Sequence, residues 1–209
     1  MLDIIIGPMC AGKTSRLLET YNSFTGRKVI IDYELDQEES IKCYNGVVTT
    51  HDNITAPCIK AKHLNDTLNI YNQKGNFQIS NEYFREYSRT DAPEMYIMND
   101  SIINSEAIFI NEAQFFPDLF EFVLRFLDKK IYIYGLDGDF QQNKMGQILD
   151  LIPHCDSVVK LTSKCTCGNP AIFTFRDSPE TEQYVPNATY IPLCRACYLI
   201  KKNKNNFYE

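Results

Sequence analysis

The chain opens with Leu2-Asp3-Ile4-Ile5-Ile6-Gly7-Pro8-Met9-Cys10-Ala11-Gly12-Lys13-Thr14, in which a short apolar run leads directly into the pattern G-x-x-x-x-G-K-T. The run predicts a buried strand, and the pattern is typical of a loop that binds phosphate groups through residues 7–14. Glycines let the backbone curve so that successive N–H groups face phosphate oxygens, and a helix beginning near Lys13 adds the positive end of its dipole. Lys13 would reach the β- and γ-phosphates, and the Thr14 hydroxyl would bind Mg²⁺. A glycine-rich surface turn is the alternative.

Composition narrows the class of protein. The 209 residues suit one domain, or one domain with a small module, and acidic residues outnumber basic ones by 27 to 21. This balance argues against a surface for nucleic acid, and the lysines at 201, 202 and 204 fit a solvated end of the chain. No apolar run approaches the roughly 20 residues that span a bilayer, and no export signal is recognisable. We therefore expect a cytoplasmic protein with neither a membrane nor a nucleic-acid partner.

Strand and helix patterns alternate after the opening loop. Residues 28–33, 106–111 and 130–136 have the apolar, β-branched composition of buried parallel strands. Residues 14–25 have helical spacing of apolar side chains, and a second helix is expected from Pro117. The apolar face predicted for this second helix consists of Leu119, Phe120, Val123, Leu124 and Leu127. The alternation predicts an α/β fold, a P-loop NTPase-like core with a parallel sheet and the nucleotide at the carboxyl ends of its strands.

Four cysteines lie close together in the last part of the sequence, as C-x-C at Cys165 and Cys167 and C-x-x-C at Cys194 and Cys197. Two close pairs of thiolates are what a closed, tetrahedral, structural Zn²⁺ site requires, although two disulfides are the alternative. We therefore divide the chain into a nucleotide-binding domain at 1–156, a zinc-binding lid at 157–200 and a polar tail at 201–209. We expect the polar segment 72–105, in which 81–87 has some helical character, to form an excursion on the surface of the sheet.

A carboxylate is predicted beside the phosphate loop. Glu112 directly follows the apolar run that ends at Asn111, and a carboxylate at such a strand end can take a proton from an attacking hydroxyl. Glu112 is therefore the candidate general base. Its alternatives are a helix cap or a solvated side chain.

These motifs together resemble the thymidine kinases of animal cytosol, many bacteria and large DNA viruses. The resemblance covers most of the chain outside about 53–105. It rests on the opening loop, on Glu112-Ala113-Gln114-Phe115-Phe116-Pro117-Asp118, on Gly135-Leu136-Asp137-Gly138-Asp139-Phe140-Gln141, on residues 146–153 and 158–162, and on the four cysteines.

The resemblance implies a substrate and a site. ATP would bind on residues 7–14, and Glu112 would take the proton from the 5′-hydroxyl of thymidine. A loop between the two cysteine pairs would close over the nucleoside, with Tyr190 holding the sugar. The residues implied to contact the substrate are Met9, Gln114, Phe115, Leu136, Phe140, Thr162, Gln183, Tyr184, Val185 and Tyr190. A homotetramer and feedback inhibition by thymidine triphosphate (dTTP) are also implied.

Several positions depart from the family pattern, and two of them concern the metal and the phosphate charge. Asn111 stands where the family has an Asp that helps to hold hydrated Mg²⁺, so that Asp36 or another carboxylate would have to compensate. Glu38 stands where the family has an Arg, and Arg16 is a speculative substitute for that cation. Thr14, Asn111 and Asp36 are therefore the candidate magnesium-associated residues.

The expected reaction is transfer of the ATP γ-phosphoryl group to thymidine, giving thymidine monophosphate (dTMP) and ADP, with deoxyuridine as a second substrate. One alternative is a deoxynucleoside kinase of relaxed specificity. Another is a zinc-containing ATPase that binds nucleic acid, and a third is a nucleotide sensor that has lost turnover through Asn111.

Overall fold

A seven-stranded sheet forms the centre of the protein in a computed structural model that describes residues 1–34, 43–68, 70–71, 78–79 and 102–205. Its strands are β1 (Leu2–Ile6), β2 (Lys28–Tyr33), β3 (Cys43–Thr49), β4 (Thr55–Ala61), β7 (Ala107–Asn111), β8 (Lys130–Gly135) and β9 (Ser157–Lys160). They lie in the order β3-β4-β2-β7-β8-β1-β9 across the sheet. All pairs are parallel except β3 with β4. The predicted α/β class with a mostly parallel sheet is confirmed.

The remaining elements lie on the sheet or beyond its last strand. The helices are α1 (Lys13–Ser23), α2 (Leu119–Arg125) and α3 (Arg195–Asn205), and short 3-10 segments span Leu64–Leu68, Ala113–Phe115 and Ile148–His154. Three small two-stranded sheets pair β5 (Ile70–Tyr71) with β6 (Gln78–Ile79), β10 (Ser163–Lys164) with β11 (Pro170–Ala171), and β12 (Phe173–Arg176) with β13 (Tyr190–Leu193). Within these described ranges, no helix combines the length and the apolar character that a membrane crossing requires.

The central strands of the sheet are buried on both faces, as their composition requires. All five residues of β7 are buried, and alternate side chains of the strands enter two different core clusters. Helix α1 covers one face with Leu17 and Leu18, whereas α2 covers the other with Phe122 and Val123. This two-sided burial explains why the central strands read as continuous apolar runs.

All four predicted strands and the first helix are confirmed, with boundaries that shift by at most two residues. The predicted face of the second helix needs a correction. Helix α2 ends at Arg125, so Leu127 lies beyond it and is 40% exposed, while Phe122 is fully buried. The helix ends early because the Phe126 N–H bonds to the carbonyl of Val123, which closes a tighter turn.

The sheet extends further than the sequence patterns predict. The hairpin of β3 and β4 adds an antiparallel edge beside β2, and neither strand was predicted. At the other edge, β9 pairs in parallel with β1. The predicted domain boundary at residue 157 therefore falls before the last strand of the main sheet, and residues 201–205 of the predicted tail continue helix α3. The division into domains stays a prediction.

Several predictions fall wholly or largely outside the described residues. These include Asp36 and Glu38, the helical character at 81–87 and most of the excursion at 72–105. Ile102, at the end of that excursion, is fully buried in the main core.

Gly146 supports the end of the sheet through a close approach that only glycine permits. Its φ of +60° lies in the left-handed region, and a Cβ built there would stand 2.1 Å from the Gln114 carbonyl oxygen. Gly146→Ala should lower the free energy of unfolding by about 2–4 kcal/mol, because backbone strain and overpacking add. Urea unfolding of the purified variant measures this change.

Gly138→Ala is the matched control for that variant. Gly138 does not have a left-handed φ, and the nearest atom to its built Cβ is the Asn143 carbonyl oxygen at 3.3 Å. Equal losses of stability in the two variants would contradict the role given to Gly146.

Candidate functional site

A cavity of about 560 Å³ lies at the carboxyl ends of the parallel strands. Residues 9–15 line it after β1, residues 47–51 line it near the end of β3, and Tyr184 lines it from between β12 and β13. Its other lining residues are Asp32, Tyr33, Lys60, Asn111, Glu112, Gln114, Phe115 and Leu136. The cavity is where a ligand is expected in an open, mostly parallel sheet. It joins the predicted phosphate loop to the predicted base.

The phosphate loop runs between β1 and α1 as the opening sequence predicts. Lys13 is the first residue of α1, and its Nζ donates hydrogen bonds to the carbonyl oxygens of Pro8 at 2.9 Å and Gly7 at 3.2 Å. Burial lowers the pKa of Lys13, whereas the negative charges of Glu112 and Asp137 act in the opposite direction. An ammonium group thus lies buried inside the loop, where an anion would stabilise it.

Two side chains beyond β9 fix the backbone of this loop. The Met9 N–H donates to the Thr174 hydroxyl oxygen at 3.0 Å, and the Ser163 hydroxyl donates to the Cys10 carbonyl at 2.9 Å. The loop is therefore attached to the cysteine-bearing part of the chain at two consecutive residues.

Glu112 lies at the end of β7 with its backbone in the left-handed region, at φ +48°. Its Oε2 accepts a hydrogen bond from the Gln114 Nε2 at 2.7 Å, and the Gln114 Oε1 accepts one from the Leu136 N–H at 2.9 Å. Gln114 is buried, so this single amide connects the ends of β7 and β8 and orients the carboxylate. Sequence reasoning assigned Gln114 to the substrate; Gln114 lines the cavity and also holds Glu112, and its contact with substrate stays a prediction.

Asp32 and Lys60 form a second polar group in the cavity that sequence reasoning missed. The Asp32 Oδ1 accepts from the Asn111 Nδ2 at 2.8 Å, and its Oδ2 accepts from the Lys60 Nζ at 2.7 Å. Burial opposes the charge of Lys60, but the hydrogen bond and charge of Asp32 outweigh it and raise the pKa of Lys60. A charged residue within the apolar run Val29-Ile30-Ile31-Asp32-Tyr33 was the available signal, because a buried carboxylate needs partners.

Lys60 is an alternative to Arg16 as the substitute for the cation that Glu38 replaces. Arg16 pairs with Glu19 one turn along α1, and the Arg16 side chain is 62% exposed. Arg16 is not among the residues that line the cavity, whereas Lys60 is. Lys60 is therefore the better-placed cation in the described part of the chain.

Aromatic rings form one side of the cavity. The Phe115 ring lies 5.1 Å from that of Tyr33 and 5.1 Å from that of Tyr184, and the Tyr184 ring stacks on Tyr190 at 6.1 Å. Met9 and Leu136 line the same cavity. Apolar and aromatic walls of this kind suit a flat, mostly apolar ligand.

Five predicted substrate residues are not among the residues that line this cavity. Tyr190 accepts from the Val185 N–H at 2.8 Å and donates to the Val185 carbonyl at 3.2 Å. The remaining three are placed as follows: Gln183 donates to Asp139 and to the Lys144 carbonyl, the Phe140 ring packs under the Arg176 guanidinium at 3.8 Å, and Thr162 is exposed. Their contact with substrate stays a prediction.

The four clustered cysteines converge as their spacing predicts. The sulfur atoms of Cys165, Cys167, Cys194 and Cys197 all lie within 4.8 Å of one another. The Cys167 and Cys194 sulfurs are 3.5 Å apart, well beyond the roughly 2.05 Å of a disulfide bond, and all eight cysteines, each within the described ranges, are free. Backbone N–H groups of Cys167 and Cys194 lower the pKa of Cys165 to about 6, which favours its thiolate. The cluster suits a metal ion that prefers sulfur.

Comparison with known proteins identifies the family to which this chain belongs. A family profile described as thymidine kinase matches residues 78–198. The thymidine kinase of Yaba monkey tumor virus is 31% identical over 205 residues, which represent 94% of this chain and 93% of the viral protein. The chain belongs to the thymidine kinase family.

Relatives of this chain also occur in plants and animals. A thymidine kinase of Oryza sativa subsp. japonica is 33% identical over 206 residues, covering 95% of this chain and 66% of the rice protein. A cytosolic thymidine kinase of Cricetulus griseus is 29% identical over 210 residues, covering 97% of this chain and 74% of the hamster protein. The family and the class of enzyme that the sequence predicted are thus confirmed.

Proposed function

We propose that this thymidine kinase transfers the γ-phosphoryl group of ATP to the 5′-hydroxyl of thymidine, giving dTMP and ADP. The observation that carries the proposal is that Glu112 lines the same cavity as Lys13 and the phosphate loop. A base and a phosphate-binding lysine in one cavity are the minimum that transfer to an alcohol requires.

The loop would hold the triphosphate by replacing existing hydrogen bonds. Lys13 now donates to two loop carbonyls, and a phosphate oxygen would be a charged acceptor for the same ammonium. The Thr14 hydroxyl, which lines the cavity, would bind Mg²⁺. Mg²⁺, when bound, neutralises negative charge on the triphosphate. Asn111, an amide, is suited to a water molecule on the ion, and Asp36 stays a prediction outside the described residues.

Glu112 would act as the general base. Gln114 occupies its Oε2, which leaves the Oε1 and the remaining lone pairs free to accept the proton of the sugar hydroxyl. Because the Gln114 amide is itself fixed by the Leu136 N–H, the carboxylate is oriented before substrate arrives.

The aromatic side of the cavity would accept the base of the nucleoside. Phe115 and Tyr184 offer ring faces and edges to a flat base, and Met9 and Leu136 complete the apolar wall. A ring methyl in such a pocket is worth about 1–3 kcal/mol, so deoxyuridine is proposed as a second substrate.

Residues 182–190 would close over the nucleoside. Tyr190 would contact the sugar by exchanging one of its two hydrogen bonds with Val185, while Phe140, Thr162, Gln183 and Val185 would join the substrate on closure. Feedback inhibition by dTTP and a homotetramer stay predictions from the family resemblance, and a cytoplasmic location stays a prediction from the sequence composition.

A nucleoside panel tests the proposed reaction. With ATP and Mg²⁺, thymidine should be phosphorylated fastest and deoxyuridine within about 200-fold of it, as followed by chromatography of the monophosphates. Deoxycytidine phosphorylated as fast as thymidine would favour the relaxed kinase. ATP hydrolysis that requires DNA and no nucleoside would favour the nucleic-acid-dependent ATPase, whereas nucleotide binding without any turnover would favour the sensor.

Replacing the proposed general base, Glu112, should lower the rate of phosphoryl transfer without weakening the binding of thymidine. Glu112→Gln should lower kcat for thymidine about 100-fold or more, because the amide cannot take a proton, while thymidine binding changes little. Steady-state kinetics and calorimetric thymidine binding measure the two quantities. Glu121→Gln, an exposed change on α2, is the matched control, and full turnover by Glu112→Gln would contradict the assignment.

We also propose that the four cysteines hold a structural Zn²⁺. Tetrahedral zinc–sulfur bonds of about 2.3 Å place sulfur atoms about 3.8 Å apart, which the observed cluster accommodates. The purified protein should contain about one zinc per chain by elemental analysis, and replacing Cys194 and Cys197 together with Ser should remove it and lower the unfolding temperature.

Cys155→Ser serves as the control for the zinc measurement, since Cys155 lies outside the cluster and donates to the Ile152 carbonyl. It should leave the zinc content unchanged. Wild-type protein prepared without chelator that lacks zinc would contradict the proposal.

A further inference from the structure

Three polar residues form a row across the carboxyl ends of neighbouring strands. In the parallel register of the sheet, Asp32 of β2 lies opposite Lys60 of β4 on one side and Asn111 of β7 on the other. All three line the cavity that contains Lys13 and Thr14. The row therefore borders the region where the proposed function places the triphosphate.

Asp32 is the carboxylate of this row, and it is held at both oxygens. Its side chain is only 7% exposed, with one oxygen on the Asn111 amide and the other on the Lys60 ammonium. A carboxylate offers about four acceptor positions, so these two bonds, counted over the described residues, leave about two of them. Buried, fixed and still able to accept, Asp32 has the properties of a group that orients metal-bound water.

Asn111 fits this arrangement better than an Asp would. Its amide nitrogen lies 2.8 Å from the Asp32 oxygen, so an Asp at 111 would bring two carboxylates to hydrogen-bond distance. Two such groups cannot both stay ionised without a large cost. The amide removes that conflict and supplies the donor that Asp32 needs.

We infer that Asp32 supplies the carboxylate that holds the hydrated Mg²⁺ of the nucleotide, in exchange for the amide at position 111. The inference rests on the proposed use of ATP. This carboxylate lies one strand along the sheet edge from position 111, where the family resemblance implies an Asp, and Lys60 and Asn111 position it. Asp137 acts on Lys13 through its charge, as Glu112 does, but Asp137 is not among the residues that line the cavity.

The competing explanation is that Asp32 and Lys60 form an ion pair that only stabilises the sheet. The dependence of nucleotide binding on Mg²⁺ after the loss of Asp32 distinguishes the two explanations. If Asp32 only stabilises the sheet, its loss weakens nucleotide binding equally with and without metal. If it serves the metal, its loss weakens binding only when Mg²⁺ is present. In the absence of metal, the freed Lys60 ammonium should hold the triphosphate equally well or more tightly.

Calorimetric binding of adenylyl imidodiphosphate, a non-hydrolysable ATP analogue, tests the inference in excess Mg²⁺ and in EDTA. Asp32→Asn should raise the Kd about 10-fold in Mg²⁺ and leave it equal or lower in EDTA. The double variant Asp32→Asn with Asn111→Asp restores a carboxylate–amide pair and should recover most of the effect of Mg²⁺. The single variant Asn111→Asp should not increase the effect of Mg²⁺ on the binding of the analogue.

The control is Asp150→Asn, which breaks the exposed ion pair with Lys144 and should change neither Kd. If Asp32→Asn does not fold, the comparison of the double variant with Asn111→Asp carries the test. Equal weakening in both conditions, or an effect of Mg²⁺ that Asn111→Asp alone increases, would overturn the inference. Wild-type protein that fails to bind the analogue would instead contradict the proposed function.

Discussion

The buried side chain of Gln114 is the constraint on which the site depends. Its oxygen accepts from the backbone of β8 just beyond the strand, and its nitrogen donates to the carboxylate just beyond β7. Two glycines leave the space it needs: a Cβ at Gly135 would stand 2.5 Å from the Gln114 side-chain oxygen, and one at Gly146 would meet its backbone carbonyl. The position of Glu112 is thus determined by packing around an amide, not by its own contacts with solvent.

The charges at the sheet edge complement one another across short distances. Lys13 is buried in a loop whose carbonyls hold it, and the carboxylates of Glu112 and Asp137 favour its protonated form. One strand further along the edge, Lys60 balances Asp32. Each of these two cations therefore has acidic groups near it, so polar groups of opposite sign balance one another at this edge of the sheet. A triphosphate with its metal adds charges of both signs to such an edge.

Local patterns predicted those parts of the structure whose chemistry is local. The phosphate loop, the strand before Glu112 and the two cysteine pairs each carry their signal within a few residues. The hairpin of β3 and β4 did not, because Gly46 and Pro57 weaken the strand pattern and burial beside β2 outweighs them. The pairing of β9 with β1 joins residues about 150 positions apart, and the partnership of Asp32 with Asn111 also depends on the register of the folded sheet.

Hydrogen bonds join the phosphate loop to the cysteine-bearing part of the chain, which also holds the beginning of the loop at 182–190. Thr174 and Ser163 hold consecutive residues of the loop, and Thr174 belongs to β12, whose last residue, Arg176, is buried and stacks on Phe140. Arg176 also donates to the backbone carbonyl of Glu182, at the beginning of the proposed closing segment 182–190, and to that of Glu180 just before it. A metal that fixes the cysteine cluster would therefore stabilise the strands from which both the loop and the lid are held. Phosphate binding and lid closure would then share one support, because side chains of β12 bond both to the phosphate loop and to the beginning of the loop at 182–190.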